Sequence, residues 1–149
     1  MGAVREELKR FVRRFALLTA ACDEVCCGEQ VSAAQSHILG EIRNGGAPSM
    51  QQVAEELGID VTTFSRQVKA LEAKGLVGRS VSPDDRRVSL LHLTGHGEQV
   101  LQQIDRYMEA RIELLFSGMT SFERETAVRS LGLLNEAIAR VGCCSGVKN

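Results

Sequence analysis

The residues in this chain best suited to chemistry are its five cysteines. Three fall in the stretch CDEVCC as Cys22, Cys26 and Cys27, and two near the end as Cys143 and Cys144. On a helix, Cys22 and Cys26 lie one turn apart on one face, and Cys27 points about 100° away. Soft thiolates at such spacing suit arsenite, antimonite, mercury, cadmium or zinc, with a further ligand supplied from elsewhere. His37 is one candidate for that ligand; Cys143 and Cys144 are others. CDEVCC is not a CxxC pair, and no four-ligand zinc pattern accompanies it. Two other readings stay open: oxidant sensing through sulfenic acid or a disulfide, and cysteines acting only as small hydrophobes.

Histidine chemistry has less support. His92 falls in or beside an expected strand and His96 at an expected helix start, while His37 sits one helical turn before Glu41. No phosphate-cradling loop, HExxH metal site or serine-hydrolase elbow goes with them. A thiol-dependent enzyme therefore ranks behind a binding protein.

The elements that must position these groups are organised around Ser49–Thr94. Ser49, with Gln52 three residues on, makes a capping box for a short helix whose inward residues are Val53 and Leu57; Gly58 ends it. Asp60 caps a second helix, in which Val61, Phe64, Val68 and Leu71 recur at helical spacing. Thr62, Thr63, Ser65, Arg66, Gln67 and Lys69 are left to the outer side. Such a face suits the major groove, where Arg and Lys reach guanine acceptors and Gln pairs with adenine. Gly75 stops the helix, and Leu76–Ser80 and Arg87–Leu93 read as two strands joined by VSPDDR. Arg86 and Arg87 at its tip are placed to meet phosphate or a minor groove, with a neighbouring aspartate holding an arginine in place.

Order and offsets here resemble the MarR family of bacterial transcription regulators. The stretch DVTTFSRQVKALEAKGLVGRSVSPDDRRVSLLHLTGHG carries a recognition helix, the LExxGLV ending, a DxR wing and the LTxxG start of the next helix. The resemblance implies a mainly α fold with a small β wing: a winged helix-turn-helix over 32–93 plus a helical dimerisation module from 4–27 and 94–142, within a single domain of 1–149. It also implies a homodimer on double-stranded operator DNA, acting as a repressor, with the first and last helices approaching each other across the dimer. That approach brings Cys143 and Cys144 toward the helix-one cluster. Organic-peroxide sensors of the family use a cysteine near the start of helix one. Cys22 lies toward its end, so no peroxide-site residue is carried over. Aromatic or phenolic ligands, which many members bind beside the dimer module, form a third effector class, with Phe11, Phe15 and His37 around the expected cleft.

Composition agrees with a regulator of this size. With 149 residues and 44% hydrophobic residues, the chain can bury a real core, yet it is small for an elaborate active site. The formal net charge of -1 excludes a globally basic nucleic-acid binder. Val61–Leu90, however, holds six basic residues against three acidic, a local +3. No apolar run reaches membrane-spanning length and no secretory core follows the charged start, so a cytoplasmic location with no membrane partner is expected.

Before and after the central segment, amphipathic stretches read as three longer helices and one shorter one. Residues 4–27 stripe Val4, Leu8, Phe11, Val12, Phe15 and Leu18. Ser32 and Gln35 cap a helix with Ala34, Ile38 and Ile42 inward. Thr94 starts a helix striped by Val100, Leu101, Ile104, Met108, Ile112 and Leu115, and Thr120 with Glu123 starts the last, with Val128, Leu131, Leu134 and Ile138.

Overall fold

The computed structural model describes residues 2–20 and 31–141. Its helices are α1 (Gly2–Ala20), α2 (Ala33–Asn44), α3 (Met50–Glu56), α4 (Val61–Ala73), α5 (Gly95–Ser117) and α6 (Ser121–Val141), with strands β1 (Val77–Val81) and β2 (Ser89–Leu93) between α4 and α5. The chain forms two compact units, Met1–Glu109 and Ala110–Asn149.

Local chemistry starts α2, α3 and α4. At α2 the Ser32 hydroxyl accepts from the Gln35 backbone N–H, and the Gln35 side chain returns a bond to the Ser32 N–H, both at 3.3 Å. Ser49 and Gln52 repeat the box at α3, at 3.2 and 2.8 Å. Asp60 caps α4 by accepting from the Thr63 N–H at 2.9 Å.

Glycines in the left-handed region end α3 and α4, Gly58 at φ 63° and Gly75 at φ 69°. In each case the next residue bonds back across the turn, Ile59 N–H to the Ala54 carbonyl at 2.9 Å and Leu76 N–H to the Leu71 carbonyl at 3.0 Å. Both ends are thus capped in the same left-handed manner.

β1 and β2 pair antiparallel from Val77 opposite Leu93 to Val81 opposite Ser89. Both strands start later than the sequence pattern suggests, because Leu76 is used in the helix cap and Arg87 in the turn. The segment before α3 joins the hairpin's other side, with Leu91 N–H donating to the Pro48 carbonyl at 2.8 Å. Thr94 then ties three elements together: its hydroxyl donates to the Gly75 carbonyl at 2.6 Å and accepts from the Gly97 N–H at 3.0 Å. A side chain at Gly97 would collide with the Leu76 carbonyl. The glycine that closes LTxxG is therefore a close-approach residue.

The core gathers Ile38, Leu39 and Ile42 from α2, Phe64, Val68 and Leu71 from α4, Leu76, Leu91 and the α5 residues Val100 and Leu101. Two inward assignments are corrected. Ala34 is exposed, and α2 buries Gln35 and Leu39 beside Ile38 and Ile42. Val61 is 54% exposed, because at the first position of α4 it stands ahead of the turn that packs.

In the second unit Thr120 and Glu123 form the expected capping box, with the Thr120 N–H donating to Glu123 at 2.7 Å. No residue of α6 is buried.

Candidate nucleic-acid interface

One face of α4 is fixed by the core. Phe64, Val68 and Leu71 are 0% exposed, which turns Thr62, Thr63, Arg66 and Lys69 to solvent and leaves Ser65 and Gln67 half-buried at the edges. At the start of this face the Asp60 carboxyl is held below the ordinary carboxylate range, chiefly by the Thr63 hydroxyl, then by the Thr63 backbone N–H, with Arg66 a smaller contributor. Asp60 thus stays ionised, complementing the positive end of α4.

Gln67 is tied inward. Its side-chain carbonyl accepts from Gln35 Nε2 at 3.3 Å, and Gln35 in turn accepts from Lys74 Nζ at 3.3 Å. Arg79 is also committed, to both oxygens of Glu72 at 2.6 and 2.9 Å. Four exposed cations remain on this surface: Arg66 and Lys69 on α4, Arg86 and Arg87 on the wing.

The wing turn departs from expectation in one respect. Asp85 does not hold an arginine side chain; it accepts the backbone N–H of Arg87 at 2.9 Å through Oδ1 and that of Val88 at 3.0 Å through its own carbonyl. The carboxylate shapes the turn, and among the described residues Arg86 and Arg87 make no ion pair.

Beside the core, α1, α2 and α5 enclose a cleft of about 530 Å³ lined by Phe11, Phe15, His37, Glu41, Ile104 and Met108 among others. Phe11 and Phe15 stack with ring centres 5.7 Å apart and stay 48% and 43% exposed. An Arg43–Asp105 ion pair of 2.8 Å joins α2 to α5. Cys22, Cys26, Cys27, Cys143 and Cys144 lie outside the described residues, so His37 is the one candidate soft-ion ligand within them. Among the described residues no three His, Cys, Asp or Glu side chains gather as a metal site.

A MarR family model matches residues 29–88, which take in α2 through most of the wing. The uncharacterized HTH-type transcriptional regulator YxaD of Bacillus subtilis strain 168 is 31% identical over 134 residues, covering 90% of this chain and 92% of that protein. The chain belongs to the MarR family. It is accordingly a DNA-binding transcription regulator and not an enzyme. The MarR fold extends beyond the matched segment: Streptococcus pneumoniae FabT, solved in complex with DNA, superposes with a TM-score of 0.86 at 23% identity, over 95% of this chain and 99% of that one. Bordetella bronchiseptica BpsR, whose DNA binding is regulated by 6-hydroxynicotinic acid, gives 0.73 at 26% identity, over 89% and 98%. No described helix of this MarR regulator is long and apolar enough to cross a membrane.

Sequence reasoning took Gln35 only for a capping residue and missed its bond to α4. The available signal was a glutamine in helical register with Ile38 and Ile42, a polar group on an apolar stripe that needs partners.

Proposed function

We propose that this MarR regulator is a homodimeric repressor in the cytoplasm that reads a palindromic operator with α4 and its wing. Thr62, Thr63, Ser65, Arg66, Gln67 and Lys69 face base edges or adjacent phosphates, and Arg86 and Arg87 reach phosphate or the minor groove. The observation that carries this reading is α4 itself: one side is wholly buried, and the other presents polar and cationic groups. Two-fold symmetry would set the two α4 helices in successive major grooves. The exposed apolar stripe of α6 supports a second copy of the chain, since contiguous apolar surface favours association.

Two effector classes follow from different observations. The cysteine pattern supports a thiophilic ion such as arsenite, antimonite, mercury, cadmium or zinc at Cys22, Cys26 and Cys27 with His37, Cys143 or Cys144, or oxidation of the same thiols. The cleft supports an aromatic small molecule, because stacked phenylalanines and a histidine offer an apolar wall with a polar handle. The ligand-regulated relative BpsR favours the cleft reading. Either effector needs only to bind more tightly to a state whose two α4 helices no longer match both half-sites.

Selection of bound sequences from randomised duplexes, followed by competition against unrelated DNA at physiological salt, tests the reader. Wild type is expected to prefer the selected duplex by at least about a thousandfold, and Arg66→Ala and Arg86→Ala to bind it more weakly while staying folded. Equal affinity of all three for selected and unrelated DNA would refute it. Titrating the complex with each ion, a mild peroxide and phenolic acids while counting free thiols separates the effectors: release with thiol loss marks the cysteines, and release with thiols intact marks the cleft.

A further inference from the structure

Gln35 is the polar side chain that the core of the described residues admits, at 8% exposure. Its Oε1 accepts from the Ser32 N–H and from Lys74 Nζ, each at 3.3 Å. A backbone N–H and an ammonium can only donate, so these partners determine which end of the amide is oxygen. Nε2 is therefore turned toward α4, where it donates to Gln67 Oε1 at 3.3 Å. Polarity passes on through the second amide. With its carbonyl held inward, Gln67 has its NH2 group left for the outer face.

That constraint matters for reading a base. Glutamine pairs with adenine through both ends of its amide, taking N6–H on the carbonyl and giving an N–H to N7. Guanine offers two acceptors, N7 and O6, and thymine offers O4. We propose that Gln35 acts as a positioning residue that makes Gln67 a donor-only reader, so that the base facing Gln67 presents acceptors, guanine foremost, and not the mixed edge of adenine. This rests on α4 entering the major groove as proposed above.

Selection from randomised duplexes by wild type, Gln67→Ala, Gln67→Lys and Gln35→Glu tests it. Wild type is expected to select guanine or thymine at one position per half-site, and Gln67→Ala to relax that position roughly fivefold, equivalent to about 1 kcal/mol. Gln35→Glu keeps acceptors toward Ser32 and Lys74 but removes the donor facing Gln67. The Gln67 amide then turns, gives its NH2 inward and presents its carbonyl, so the selected base moves to adenine or cytosine while the rest of the motif stays. Gln67→Lys, which leaves the buried glutamine in place, retains the guanine or thymine. Adenine at the wild-type position, no position relaxed by Gln67→Ala, or a motif unmoved by a folded Gln35→Glu would each overturn the inference. Failure of wild type to select any sequence is a separate outcome that overturns the reader itself, and this inference with it.

Discussion

Helices α4 and α6 carry apolar residues at the same helical spacing, yet α4 holds Phe64, Val68 and Leu71 at 0% exposure while α6 leaves Val128, Leu131, Leu134 and Ile138 at 41–60%. Periodicity says which face of a helix is apolar; it does not say whether the chain itself supplies the cover. Around α4 the cover comes from α3 and β1, with residues of α2, β2 and the start of α5 completing the same core, so its polar face is left outward. The stripe on α6 is left without such cover, and on the proposed function a second copy of the chain provides it. α5 contains the same contrast within one helix, with Val100, Leu101 and Ile104 buried and Ile112 and Leu115 exposed.

The sharpest way to break the contrast is to truncate each stripe. Phe64→Ala should cost about 3–5 kcal/mol of stability in urea unfolding, as large core truncations do. Leu131→Asp should leave the far-ultraviolet circular dichroism unchanged and reduce the sedimenting mass to one chain. A Leu131→Asp protein that still sediments as the wild type does would remove α6 from the association surface.

Gly97→Ala should follow in size. Its new methyl meets the Leu76 carbonyl, and relieving such crowding typically costs about 1–3 kcal/mol. Because Thr94 and Gly97 connect the end of α4 to the start of α5, DNA affinity should fall along with the melting temperature. A melting curve matching wild type would show that the junction relaxes freely.

Ser49→Ala removes one arm of the α3 capping box and should cost about 1 kcal/mol, read by the same unfolding assay. The smallest effect belongs to pH. The Asp60 carboxyl is held below its ordinary range in the folded chain by Thr63, so its contribution to stability is present above the unfolded carboxylate value. It is lost as pH falls through the lowered folded value. Asp60→Asn, which still caps, should flatten that part of the acid unfolding profile; an unchanged profile would assign the acid dependence to other carboxylates.

Much of the fold was legible because its determinants are local. Capping boxes at Ser32, Ser49 and Thr120, the Asp60 cap and the chain reversals at Gly58 and Gly75 each depend on residues within a few positions of one another. Errors arose where tertiary packing decides. Ala34 and Val61 are apolar residues in register with buried ones, yet they lie at helix starts where nothing covers them. The Gln35–Gln67 bond joins positions 32 residues apart, a separation at which no spacing rule points from one to the other. Charge alone suggests that an aspartate of the wing holds an arginine, whereas turn geometry gives the oxygens of Asp85 to backbone N–H groups.

The most direct test of the account is the mass of the complex on a selected duplex, measured by sedimentation beside the free protein. Two chains per duplex, over half-sites about 10 base pairs apart, would fit an α4 reader covered by its own chain and paired through helices that its own chain leaves uncovered. One chain on a single unrepeated site would contradict that account.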